Sequence, residues 1–131
     1  MQFVATALSG WLAAFLLAAG IGVPYFVRAN PMAEPGYVKR MRPHFWIGFA
    51  VPAIVLGHAW LPMSAGHMRG YDLAGLWLAT AAFFVMLAQA SLGVILRNAS
   101  PVGRRTIKRL HFWTMAVIAL LVPAHILLNR A

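Results

Sequence analysis

Residues 42–61 read RPHFWIGFAVPAIVLGHAWL. After the opening arginine the run carries no Asp, Glu, Lys or Arg. At 1.5 Å of rise per residue it reaches about 30 Å, the thickness of a bilayer's hydrocarbon core. Two histidines stand in it, His44 and His58, 14 residues apart. On an α-helix that separation is about 21 Å of rise, and it leaves the two side chains only about 40° apart around the axis. The segment is predicted to be a membrane-spanning helix that presents two imidazoles on one face, one in each leaflet.

The same pattern returns further along the chain. Arg42-Pro43-His44-Phe45-Trp46 is matched 67 residues later by Arg109-Leu110-His111-Phe112-Trp113, and His58 by His125 in the same register. Four apolar runs are long enough to span: Phe3 to Val27, Arg42 to Leu61, Asp72 to Leu96 and Lys108 to Leu128. Asn30-Pro31, Glu34-Pro35-Gly36, Pro62, Gly66, Gly70 and Ser100-Pro101 punctuate them. Short connections favour antiparallel neighbours. The predicted fold is therefore an all-α membrane protein, a four-transmembrane up-down-up-down helix bundle, with residues 1–131 forming one domain. In such a bundle the second and fourth spans run parallel, so His44 is level with His111 and His58 with His125.

Composition agrees with the membrane class. Hydrophobic residues make up 62% of the chain and charged residues 10%, too little polar surface for a soluble domain of this size. The net charge of +9 does not point to nucleic acid, because the basic residues gather between apolar runs rather than along one face. Arg28, Lys39, Arg40 and Arg42 lie between the first two spans, and Arg97, Arg104, Arg105, Lys108 and Arg109 between the last two. The positive-inside rule places both segments in the cytoplasm and both termini outside. For a bacterial inner membrane, outside is the periplasm. The first run lacks a basic leader and a small-residue cleavage site, so it is expected to be a retained helix. There are no cysteines, which excludes disulfides, thiolate-held iron–sulfur clusters and covalently attached c-type haem. No residue set resembles a hydrolytic triad, a phosphate loop or a flavin site.

Two parallel helices with matched histidines make two sandwiches, each suited to an iron porphyrin with two axial imidazoles. His44, His111, His58 and His125 are the candidate metal ligands, holding two b-type haems as the pairs His44/His111 and His58/His125. A zinc or copper transport site is the rival, but such sites gather three or four ligands at one centre. Small residues in the other two spans, among them Gly10, Ala13, Ala14, Gly20, Ala81, Ala82, Ala88 and Gly93, allow close approach to a macrocycle or a neighbouring helix. Arg42 and Arg109 are candidate haem-propionate partners, or ordinary positive-inside charge. Trp46 and Trp113 either cover the same haem or belong to an interfacial belt. Pro52 and Pro123 fall inside ligand helices, where a kink adjusts ligand aim. Gln89 and Thr80 are expected to bond between helices, and His67 to be a solvated loop residue or part of a quinone or proton path.

With these four ligands at this spacing, the chain resembles the four-helix di-haem core of cytochrome b of the quinol-oxidising bc-type complexes. Ferric-reductase and NADPH-oxidase membrane domains are similar in ligand spacing. The resemblance covers nearly all of the chain and implies one haem per leaflet and transmembrane electron transfer. It implies a membrane subunit of a respiratory or photosynthetic complex, with protein partners, surrounding lipid and quinone or quinol as the exchange partner. The flavin and nicotinamide domains and the further quinol-site helices of those families have no counterpart here. Haem ligation therefore carries over and the substrate does not. A small stand-alone quinone-linked reductase of superoxide or ferric iron, and a non-redox haem or metal transport module, are the alternatives.

Overall fold

The computed structural model describes residues 2–30, 36–64 and 73–128. The chain forms α1 (Gln2–Ala29), α2 (Tyr37–Arg40), α3 (Arg42–Ser64), α4 (Leu73–Asn98) and α5 (Pro101–Leu128). Four of these, α1, α3, α4 and α5, are long and apolar enough to cross a membrane. The expected spans fall inside them, except that Asp72, the expected start of the third, lies outside the described residues.

The helix ends follow from local chemistry. Ser100 caps α5: its hydroxyl accepts from Gly103 N–H at 3.5 Å and its carbonyl accepts from Arg104 N–H at 3.0 Å. Pro101 takes the first helical position, where its missing N–H costs no hydrogen bond. Helix α5 therefore starts two turns before Lys108, where the apolar run alone placed the span. Charge ends a membrane span but not a helix, and Arg104, Arg105 and Lys108 are exposed helical residues. At the other turn Arg40 reaches back to the end of α1. Its guanidinium donates to Val27 O at 3.0 Å and to Asn30 O, satisfying carbonyls that the last turn leaves open. Pro62 does not end α3 as expected. The helix runs on to Ser64 because Pro62 sits in its last turn, where only one backbone bond is lost.

Packing is strongest in two helical pairs, α1 with α3 and α4 with α5, and α3 also packs on α4. Gly20 meets His44 and Thr6 meets His58, so α1 and α3 run in opposite directions. Gln89 meets His111 and Gly75 meets His125, so α4 and α5 do the same. The histidine-bearing helices α3 and α5 are not among the closely packed pairs.

The core is small and central. Val51, Met86 and Ile118 are buried together, with Leu16, Leu17, Ile47, Val55, Val85 and Val122 packed around them. Most other large apolar side chains face outward, among them Phe15, Trp60, Phe84 and Leu120. In water that surface would drive aggregation, whereas against lipid tails it costs nothing.

The core also extends the repeat to the helices without histidine. Val51 and Val55 correspond to Ile118 and Val122 at the 67-residue offset, and all four belong to the core. On α1 and α4 the offset is 69 residues: buried Ala13 pairs with buried Ala82, Leu16 with Val85 and Leu17 with Met86. The two hairpins are thus one plan, and the second has two fewer residues between its paired positions. Gly20 and His44 are 24 residues apart, whereas Gln89 and His111 are 22 apart.

Candidate functional site

All four span histidines are half-buried and each meets the helix paired with its own. His44 Nδ1 donates to Gly20 O at 2.8 Å, His58 Nδ1 to Thr6 O at 2.9 Å and His125 Nδ1 to Gly75 O at 3.1 Å. A carbonyl oxygen only accepts, so the ring nitrogen facing it carries the proton. In these three rings Nδ1 is therefore the N–H, and Nε2 holds the lone pair. This is the arrangement of a metal-ligating histidine, whose second nitrogen donates to a carbonyl that fixes the tautomer and the ring direction. Ser9 steadies the His58 contact: its hydroxyl donates to Thr6 O at 2.9 Å and lies 3.2 Å from His58 Nδ1.

His111 differs. Its Nε2 stands 3.3 Å from Gln89 Nε2, and its Nδ1 is buried without a hydrogen-bond partner among the described residues. A buried polar nitrogen left unsatisfied is costly, and a metal ion is one partner that would satisfy it.

The rings of His44 and His111 come together, with centroids 6.1 Å apart and planes at 73°. Two imidazoles sharing one metal ion would stand about 6.3 Å apart, from bonds of about 2.0–2.1 Å and about 1.1 Å from nitrogen to ring centre on each side. Two rings at this mutual angle can both stand upright on one flat macrocycle. His58 and His125 lie near enough for the charge of one to act on the other. Among the described residues no group of three or more His, Cys, Asp or Glu gathers at one centre. The donor set is two pairs of imidazoles, which fits bis-histidine haem.

Glycine leaves no room for a side chain at Gly10 and makes a tight fit at Gly20. A Cβ on Gly10 would lie 2.9 Å from His58 Cε1 and 3.2 Å from its Nδ1, and a Cβ on Gly20 would lie 3.0 Å from Ile47 Cγ2. Gly93 is different, since its added Cβ would meet His111 Cε1 at an ordinary 3.6 Å. Of the other small residues, Ala13 and Ala82 are buried between helices, while Ala81 and Ala88 are exposed.

The remaining candidates sort unevenly. Arg42 opens α3, whereas Arg109 lies more than two turns inside α5; both are exposed, two residues before His44 and His111. Trp46 and Trp113 point outward, 75% and 61% exposed. Gln89 does bond between helices, but the exposed Thr80 does not: its hydroxyl donates to Leu76 O within α4 at 2.9 Å. A hydroxyl that can reach the carbonyl four residues back is satisfied without a neighbour. Pro52 and Pro123 lie inside α3 and α5. His67 lies outside the described residues. The carbonyls of Thr6 and Gly75 carried no signal in the sequence, because main-chain oxygens are not encoded by residue type. Arg97, over the Phe45 ring at 5.8 Å, was also not foreseen.

No protein-family model matches the chain, and no curated protein or solved structure is significantly similar to it.

Proposed function

We propose that this chain is a transmembrane electron-transfer protein, a di-haem cytochrome b. In this reading α1, α3, α4 and α5 cross the bilayer up, down, up and down. His44 with His111, and His58 with His125, would be the axial ligands of two b-type haems. The observation that carries the reading is the set of three Nδ1–H···O=C bonds, from His44, His58 and His125, beside the close approach of the His44 and His111 rings. A tautomer fixed three times over, with Nε2 left as the lone-pair nitrogen, is what ligation requires and what simple helix–helix bonding does not.

Haem bound there would supply a reversible one-electron couple at each of two depths, about 21 Å apart along the helices. The chain supplies the rest. Main-chain oxygens aim the ligands, the apolar helices exclude water, and the cationic ends place positive charge beside the His44/His111 site. Arg42 and Arg109 are the residues suited to bind propionates.

Both termini lie outside, and the basic connections lie in the cytoplasm of a bacterial inner membrane. Electrons must enter at one face and leave at the other, so the chain works as a membrane subunit of a respiratory or photosynthetic complex, with quinone or quinol as an exchange partner. The deciding experiment is a reduced-minus-oxidised spectrum of the detergent-purified protein, with haem per chain quantified. Two low-spin b-type haems per chain are expected. None in protein made with haem supplied would overturn the proposal and return the chain to metal transport.

A further inference from the structure

The two hairpins share one plan except beside one histidine. On the 69-residue offset of α1 and α4, Thr6 corresponds to Gly75, and the carbonyl of each accepts from its histidine. On the same offset Gly20 corresponds to Gln89. Gly20 gives His44 a main-chain oxygen, whereas Gln89 gives His111 a side-chain amide. The facing position changes with it. Ile47, which fills the space over Gly20, corresponds at 67 residues to Thr114, whose hydroxyl is hydrogen-bonded to Gln89 Oε1. A glycine under an isoleucine is thus exchanged for a glutamine under a threonine. The bulk moves from one helix to the other, and a polar pair appears.

As placed, Thr114 Oγ1 donates to Gln89 Oε1 and the amide nitrogen faces the ring; exchanging the amide oxygen and nitrogen pairs the ring N–H as well. Thr114 Oγ1 has one proton and main-chain acceptors in reach, Leu110 O at 3.0 Å and His111 O at 3.2 Å. Ser91 and Thr80 give their protons to the carbonyl four residues back. When Thr114 does the same, its lone pairs face Gln89 and accept from the amide –NH2, so the amide oxygen turns to the ring and accepts its N–H. Oxygen and nitrogen of an amide are assigned from such networks. Gln89 then accepts at Nε2 of His111, where the carbonyls accept at Nδ1 of the other three rings, and the buried Nδ1 of His111 keeps the lone pair.

We infer that Gln89, held by Thr114, is the positioning residue of His111 and makes the His44/His111 site chemically distinct from the His58/His125 site. This rests on the haem reading. An acceptor on the ring N–H makes the imidazole a stronger donor to iron, which favours the ferric state and lowers the potential. At the His58/His125 site both acceptors are main chain, whereas at the His44/His111 site one is a side chain.

The test uses the haem-loaded protein, with each haem assigned by its loss in His44→Ala or His58→Ala. Gln89→Leu keeps the bulk and removes the acceptor. The haem assigned to His44/His111 should move to higher potential, with a changed low-spin EPR signal, while the other stays in place. Thr114→Val should move the same haem in the same direction by less, and Thr114→Ser should leave it unmoved. If Gln89→Leu loses that haem, Gln89→Glu carries the test, because a carboxylate acceptor should lower the same potential. A wild-type protein with two haems whose potentials and EPR signals ignore these substitutions overturns the inference and leaves the haem reading standing. A wild-type protein without haem overturns both.

Discussion

Val51 and Ile118, 67 residues apart in the chain, are both buried in one central cluster, at 4% and 1% exposure. They are the same position of the repeated histidine-bearing helix, seven residues after His44 and His111. Half-way between its two histidines, each of these helices thus contributes one side chain to a shared centre, with one histidine of each helix on either side of it.

Ile118→Ala should therefore destabilise the whole bundle. Truncating a fully buried isoleucine costs about 2–5 kcal/mol. Leu120→Ala, two residues on and 73% exposed to the surroundings, should cost little. Thermal unfolding in detergent compares them directly, and equal midpoints would refute the central role of this cluster.

Gly10→Ala should strike one site and spare the other. The added methyl would stand 2.9 Å from His58 Cε1, on a ring whose direction is already fixed by Thr6. Overpacking of this kind costs about 1–3 kcal/mol. Haem content should fall toward one per chain, with the His44/His111 signal retained. Gly93→Ala is the control, since its methyl meets His111 at 3.6 Å, and it should keep both haems.

Each ligand can be tested singly. His44→Ala and His111→Ala should remove the same haem, and His58→Ala and His125→Ala the other. Spectra in which His44→Ala and His58→Ala remove one and the same haem would show that the pairing is wrong.

Charge at the basic end has a definite sign. The reduced form of a haem is the more negative one, so nearby cations stabilise it and raise the potential. Neutralising Arg42 and Arg109 together as glutamine should lower the potential of the His44/His111 haem and leave the other nearly unchanged. Redox titration reads both, and an unmoved first potential removes these arginines from the site.

Membrane orientation can be read without background, because the chain has no native cysteine to react. In intact cells made permeable only at the outer face, a membrane-impermeant maleimide should label Gln2→Cys and not Arg105→Cys. The reverse pattern would invert the placement of the basic connections.

Periodicity and charge carried most of the architecture. Four apolar runs, a histidine spacing of 14 and a five-residue repeat were enough to foresee the four long helices and the approach of the His44 ring to that of His111. Their limits were physical. The first two turns of α5 are helical but charged, so hydropathy alone hid them. Pro62 reads as a breaker anywhere, yet in a last turn it breaks little. The likeness of α1 to α4 rests on Ala13 with Ala82 and Leu17 with Met86, an alanine pair and two different apolar residues at an offset two residues from that of α3 and α5. Nothing in residue identity marks such a match; it becomes visible only in which positions are buried. Gln89 was recognisable as a polar residue needing a partner, but its correspondence to Gly20 was not.

Three of the four rings are oriented by main-chain oxygen, and this bears on how the gene can change. Codon substitutions at Thr6, Gly20 or Gly75 alter side chains but cannot delete the oxygen. Drift on α1 and α4 is constrained there by size alone. At position 89 the orienting group is itself written in the codon, so a single nucleotide change can remove it or replace it with a carboxylate. Among the groups that meet the four rings in these contacts, that is the one a codon can take away.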